Sequence, residues 1–284
     1  KSHDFKVSKP NKQTPHFSVE YKNPSEFCDH LNLNKSPLIF YFMASETKIS
    51  AGSYDLNKFL EGGYEKDIIT MIVGPPGSGK TNFVILTAVS QAKKNNKVIF
   101  IDTEGGFSLD RIKQISGENY EQIIENILLL KPTNFEEQEK EFNKLLKLLK
   151  EKQIGLIVVD GMTMLYRLKM GEMKESEQDI KQINNALAQQ MRTLAEIARN
   201  KNIPVIVTNQ VYTDFLSDED FKKGTKRKVH FVGGDLMKYW SKSIIELEHE
   251  RSKRKAILRK HRSLPEKELV FEIYKEGVRK KGWI

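Results

Sequence analysis

The sequence predicts an α/β fold: a mostly parallel central sheet flanked by helices, finished by antiparallel strands. Three observations predict it. From about Ile49 to Gln210, short apolar runs alternate with longer stretches of helical period. Those runs are continuously apolar rather than alternating, as strands covered on both faces are. After Trp240 the period changes to alternation, as in antiparallel strands that close one edge.

Taken in order, "DIITMIV" (67–73) is an apolar run that stops at a Gly/Pro turn, hence a buried strand. A helical stretch follows to about Lys94, and "KVIFID" (97–102) is the next strand. "RIKQIS" and "YEQIIENI" read as short helices. "ILLL" (127–130) is a strand ended by Pro132. Between 134 and 152 a helical period puts Phe135, Phe142, Leu145, Leu146 and Leu149 on one face. "GLIVVD" (155–160) is a further buried strand, 179–201 a long amphipathic helix, and "PVIVTNQ" (204–210) a strand. "KSIIELEHE", "KAILRKH" and "KELVFEIYK" supply the alternating C-terminal strands. Residues 1–42 differ. They hold four of the nine prolines, many Asn, Ser and Lys, and no sustained period. We read 1–48 as an irregular leader, linker or appended arm, or a cloning remnant, and 49–284 as the core. Met43 is a candidate natural start of the folded unit.

The 284 residues carry a formal net charge of +9 and suffice for one large domain or two small ones. No apolar run reaches the ~18 residues of a bilayer span, and no secretory leader opens the chain. Cys28 is the only cysteine, so a disulfide within the chain is excluded and a reducing, cytoplasmic compartment is the natural expectation. The charge is concentrated. From Glu250 to Ile284 twelve Lys/Arg face five Asp/Glu, and "KKGTKRKVH" (222–230) holds five basic residues and no acid. Either run alone is compatible with a solvated surface. Two of them point to a polyanionic partner.

"MIVGPPGSGKTNF" (71–83) contains the spacing G-x-x-x-x-G-K-[ST] as Gly74, Pro75, Pro76, Gly77, Ser78, Gly79, Lys80 and Thr81, with Asn82 next. It joins a strand run to a helical stretch, the context this motif requires. A loop so poor in side chains lets backbone N–H groups approach phosphate oxygens, and the helix N-terminus adds partial positive charge. Lys80 would reach the β and γ phosphates and Thr81 would coordinate Mg²⁺, so ATP and Mg²⁺ are the expected cofactors. Asp160, closing an apolar strand at the sheet edge where ligands bind, is the second expected metal anchor; a helix N-cap aspartate is the competing reading. In "VIFIDTEGGF" (98–107) Glu104 follows a strand at the same edge. Off the metal, it could orient or deprotonate an attacking water, with helix capping as the competitor. In "VIVTNQV" (205–211) two amides end a strand. Gln210 can bond a γ-phosphate and lose that bond on hydrolysis, a nucleotide sensor; the bland reading is a turn amide. The segment 215–234 is long, charged and glycine-bounded. Its Lys222, Lys223, Lys226, Arg227 and Lys228 would neutralise phosphates without reading bases, and Phe221, His230 and Phe231 could stack on unpaired bases.

Together "GPPGSGKT", "IDTEGGF", "LIVVD" and "VTNQV", in this order and spacing, resemble the core of the RecA-like recombinases, above all the archaeal and eukaryotic strand-exchange proteins. "ISAGSYDLNKFLEGGYE", "YRLKMGE" and "VGGDLMKYWSKSIIELE" agree. "RKHRSLPEKELVFEIYKEGV" (259–278) most resembles the RadB family, short archaeal paralogues of the recombinase RadA. The resemblance covers about 49–284 and implies a RecA-like P-loop NTPase core. It makes Glu104 the catalytic glutamate, Arg111 in "GGFSLDRI" the arginine that stacks on adenine, and Gln210 the sensor opening the second DNA loop. The segments 161–178 and 211–233 match the two DNA-facing loops, which adds Arg167 to the expected DNA contacts. Lys260 and Arg262 match basic residues that complete a neighbour's ATP site; solvent- or DNA-facing charge is the competing reading.

Two features of full recombinases are missing from the sequence: the helical period of an N-terminal helix-hairpin-helix domain, and a Phe-x-x-Ala polymerisation segment. The resemblance therefore implies a weak Mg-dependent ATPase that binds DNA and assists homologous recombination and DNA repair as a mediator or regulator. The expected partners are single-stranded or branched DNA, bound without sequence preference, a RadA-type recombinase, a Holliday-junction resolvase and further copies of the chain, with no membrane. The alternatives are an active strand-exchange recombinase, a KaiC-like ring ATPase or kinase, and a scaffold with a vestigial nucleotide site.

Overall fold

Successive side chains of a strand point to opposite faces of its sheet, and here the two sets enter two separate cores. Ile72, Val98, Phe100, Leu156, Val158 and Ile206 share one core; Ile69, Met71, Val73, Ile99, Ile101, Ile157, Val159, Val205 and Val207 share the other. A strand buried on both faces has no polar side to display, which is why these runs read as continuously apolar. In this computed structural model the described residues are 47–151, 154–172, 177–213, 229–250 and 253–282. They all belong to one unit, Ser45–Ile284. Residues 1–46 of the expected leader, the basic residues Lys222, Lys223, Lys226, Arg227 and Lys228, and residues 173–176 of the first expected DNA loop lie outside the described residues.

The chain opens with β1 (Lys48–Ile49), α1 (Tyr54–Phe59) and β2 (Tyr64–Glu65), then runs through β3 (Ile69–Gly74), α2 (Lys80–Ala92) and β4 (Lys97–Asp102). Next come α3 (Leu109–Ser116), a 3₁₀ turn at Gly117–Asn119, α4 (Tyr120–Glu125), β5 (Ile127–Leu130) and α5 (Phe135–Glu151). The second half holds β6 (Ile154–Asp160), α6 (Met164–Glu172), α7 (Glu177–Lys201), β7 (Val205–Thr213), β8 (Val229–Phe231) and α8 (Gly234–Trp240). It ends in β9 (Ser241–Glu250), β10 (Lys253–Lys260), β11 (Lys267–Tyr274) and β12 (Gly277–Lys280). The main sheet has the order β12-β11-β10-β9-β3-β7-β6-β4-β5; β8 pairs with β7 off this path, and β1 and β2 form a small sheet of their own.

Helices cover both faces. α1, α2, α3 and α4 pack on the first core through Leu56, Phe83, Ile112 and Ile123. α5 and α7 pack on the second, α7 through Ile183, Leu187, Met191, Leu194 and Ile197, the spacing that one helical face requires. The α5 stripe expected from the sequence is buried at Phe135, Phe142, Leu145 and Leu149.

The C-terminal strands pair antiparallel as expected, β9 with β10, β10 with β11 and β11 with β12, and on its other side β9 joins the sheet parallel to β3, starting with Ser241 beside Ile69. The cause is α8, which carries the chain back to the sheet's N-terminal edge before β9 begins, as a crossover between parallel strands must. The first expected DNA loop contains a helix, α6. It docks through Leu165 into the second core, and Lys169 pairs with Glu136 of α5 at 2.6 Å.

Candidate functional site

Strand register gathers the polar residues. Gly74 at the end of β3 pairs with Gln210 of β7, and Asp102 of β4 pairs with Asp160 of β6. β3, β7, β6 and β4 are consecutive neighbours, so four strands deliver their C-terminal ends to one edge. The Gly74–Thr81 loop leaves β3 at this edge and turns into α2. Gly79, the residue before the helix, has φ 110°, a left-handed conformation that glycine adopts without strain.

Lys80 is buried at 6 % exposure, and its ammonium donates to the carbonyls of Gly74 (2.9 Å) and Pro75 (3.1 Å) of its own loop. Burial lowers its pKa, opposed by the negative charges of Glu104 and Asp160. Both expected carboxylates therefore act electrostatically on the expected phosphate-binding lysine.

Asp160 is fully buried. Its Oδ1 accepts from the Thr208 hydroxyl at 2.7 Å, and that hydroxyl in turn accepts from Gly161 N at 2.7 Å. The other oxygen, Oδ2, is buried without a hydrogen-bond partner. Desolvation pushes the Asp160 carboxyl up to about 6. Gly106 presses against it. A Cβ at Gly106 would stand 3.3 Å from Thr81 Oγ1 and 3.5 Å from Asp160 Oδ2, so the missing side chain leaves a corner between the two expected metal anchors. An orphaned carboxylate oxygen beside a hydroxyl fits a hard cation that arrives with phosphates and keeps part of its water. No cluster of three or more His, Cys, Asp or Glu able to hold a metal alone occurs among the described residues.

The turn carrying Glu104 is built by Asp102, whose carboxylate accepts from Gly106 N (3.1 Å) and Phe107 N (3.0 Å). Thr103 ties the turn to β6, its hydroxyl donating to the carbonyls of Asp160 (3.0 Å) and Gly161 (2.7 Å). Glu104 itself is exposed, and its Oε1 accepts from Gln210 Nε2 at 3.1 Å. The two residues assigned from different strands to water and to sensing are thus in contact.

Arg111 borders the site from α3. Its guanidinium donates to Asn82 Oδ1 (2.8 Å), Gln114 Oε1 (2.9 Å) and the carbonyls of Tyr274 (3.0 Å), Lys275 (2.9 Å) and Gly277 (3.4 Å). Its edges hold the β11–β12 turn, and stacking would use the planar face, which those bonds do not occupy. The same contacts place Asn82 beside Arg111. Arg167 lies on the exposed side of α6.

Lys260 and Arg262 sit elsewhere. Arg262 forms a two-pronged pair with Asp67 (2.8 and 3.1 Å) and a 3.1 Å bond to Glu65, just before β3, at the end of that strand opposite Gly74. Lys260 donates to the carbonyls of Lys238 (2.9 Å) and Ser241 (2.8 Å) at the end of α8. Both cations are engaged within their own chain.

Sequence reading missed Thr208 and the building role of Asp102. The signal for Thr208 was available: a hydroxyl inside a buried apolar strand needs a partner, and a carboxylate ends the neighbouring strand.

The fold and this loop define the class of the protein, a RecA-type α/β core. The sequence profile of the Rad51 family matches residues 44–281, and the chain belongs to the Rad51 family. It is similar to the DNA repair and recombination protein RadB of Methanobrevibacter smithii, 42 % identical over 228 residues that cover 78 % of this chain and 92 % of that protein. The RadB of Methanocaldococcus jannaschii is 41 % identical over 223 residues, covering 78 % and 98 %. That of Methanosphaera stadtmanae is 37 % identical over 238 residues, covering 82 % and 97 %.

Proposed function

We propose that the chain binds ATP with Mg²⁺ at the Gly74–Thr81 loop, hydrolyses it slowly, and serves homologous recombination and DNA repair as a DNA-binding accessory protein. The observation that carries the chemical part is the convergence of Lys80, Thr81, Asp160, Glu104 and Gln210 from four adjacent strands on one sheet edge. The similarity to RadB proteins supports the accessory role.

Thr81 and Asp160 Oδ2 would hold the cation, which supplies charge neutralisation on the phosphates. Lys80 leaves the Gly74 and Pro75 carbonyls and takes phosphate oxygens instead, so its donors are satisfied in both states. Glu104 holds the attacking water off the metal, and Gln210 exchanges its bond to Glu104 for one to the terminal phosphate. The Asn82–Arg111 pair fixes the guanidinium on which the base would stack. DNA is engaged through Arg167 and the basic residues at 222–228, without base specificity. A RadA-type recombinase and a junction resolvase are the proposed protein partners, and the cytoplasm the proposed compartment. Among the described residues no helix is long and apolar enough to cross a membrane.

The test is the rate of ATP hydrolysis with and without single-stranded DNA, measured alongside solution mass, for the parent and Lys80→Ala. Slow turnover that Lys80→Ala abolishes, with DNA retained at moderate salt, is the expected result. Long filaments with robust strand exchange would favour the recombinase. Autophosphorylation in a discrete hexamer without DNA affinity would favour the ring ATPase.

A further inference from the structure

Where its pairing with β3 stops, β7 carries three successive polar side chains, Thr208, Asn209 and Gln210, and each reaches a different neighbour. Thr208 holds Asp160 and Gln210 holds Glu104, as described. Asn209 touches neither carboxylate. It is fully buried, its Oδ1 accepts from the Thr163 hydroxyl at 2.6 Å, and its Nδ2 donates to the Val232 carbonyl at 2.8 Å. Thr163 lies in the turn that opens α6, and Val232 in the return from β8 to α8. One buried amide therefore binds the entrances of two separate segments at the edge where the site lies.

The backbone of β7 grips the same two segments. Met162 N donates to Thr208 O at 3.0 Å, and Val232 N donates to Gln210 O at 3.3 Å. The segments also meet directly: a Cβ at Gly233 would lie 3.4 Å from Thr163 Cγ2. A buried asparagine with both polar ends bonded is held in one orientation, and losing either partner leaves a buried polar group unsatisfied. Such a clasp moves with its strand rather than stretching.

We infer that Asn209 is a positioning residue that couples the nucleotide site to both segments at once. When Gln210 exchanges Glu104 for a phosphate, this stretch of β7 shifts. Asn209 transmits that shift to Thr163 through its carbonyl oxygen and to Val232 through its amide nitrogen. This rests on the proposed nucleotide site and adds to it a route of regulation. Each arm of the clasp has its own atom, so the two can be cut separately. Thr163→Val removes the hydroxyl that donates to Oδ1. Asn209→Asp keeps Oδ1 and loses the Nδ2 donor.

The experiment is amide hydrogen exchange of the full chain, with and without Mg²⁺ and a non-hydrolysable ATP analogue, with analogue affinity measured in the same samples. In the parent both 161–172 and 229–240 change their exchange on binding. Thr163→Val loses the response in 161–172 by roughly fivefold or more and keeps it in 229–240, at unchanged analogue affinity. Asn209→Asp shows the reverse pattern, and Thr163→Ser restores the parent response. The inference is overturned if Thr163→Val responds like the parent, if the parent binds analogue with no response in either segment, or if exchange rises everywhere independently of nucleotide, the mark of a merely structural role. A folded parent that binds no analogue overturns the functional reading itself, a distinct outcome.

Discussion

Replacing Asp160 with asparagine should stabilise the nucleotide-free chain while weakening its Mg²⁺-dependent nucleotide binding. The carboxyl is fully buried, and burial raises it from 3.8 to about 6. A folded-state pKa above the unfolded value means that the folded chain binds the proton more tightly. The resulting stability is fully present below about pH 3.8 and is lost as pH rises through about 6. A shift of this size corresponds to about 3 kcal/mol by about pH 8. Asparagine is neutral throughout and keeps an oxygen for the Thr208 hydroxyl, so it escapes the loss. Its NH₂ would take the place of the partnerless Oδ2, and Lys80 would lose an attractive charge, so a net gain of about 1–3 kcal/mol at about pH 8 is expected. At about pH 4 the gain should vanish or reverse. Urea unfolding in EDTA at both pH values reads this directly. A variant no more stable than the parent at the higher pH, or a difference that does not change with pH, would refute the reasoning that burial strains this carboxylate.

Glu104→Gln keeps an oxygen for Gln210 and should bind ATP as the parent does while turnover falls about 10²–10⁴-fold, checked by nucleotide titration and single-turnover hydrolysis. Replacing the five basic residues at 222–228 should flatten the salt dependence of single-stranded DNA affinity by up to about 3.5 in log–log slope; an unchanged slope would move the DNA site elsewhere. Phe271→Ala should destabilise the chain by about 3–5 kcal/mol in denaturant unfolding, because that ring is 1 % exposed and packs edge-on against Phe83 at 5.1 Å.

The strands and the Gly74–Thr81 loop were legible because their signals are local. A run such as "LIVVD" is apolar at every step since both of its faces are covered, and the glycine loop declares itself by spacing alone. What was not legible depends on registration between distant elements. Nothing near Arg262 in sequence says that Asp67, 195 positions away, takes its guanidinium. No local period distinguishes β9, which enters parallel to β3, from β10, which does not; only the crossover made by α8 decides it. The polar residues of β7 illustrate the boundary most clearly. Thr208, Asn209 and Gln210 stand out in sequence as hydrophilic residues where an apolar run ends, which is enough to mark the position. Their division of labour follows from strand order. β7 lies between β3 and β6, so at residues 208–210 the phosphate loop, the buried carboxylate and the entrances to both edge segments come within reach of consecutive side chains. A strand at the sheet margin with the same three residues could not join these parts, and the coupling proposed for Asn209 is therefore a consequence of topology as much as of chemistry.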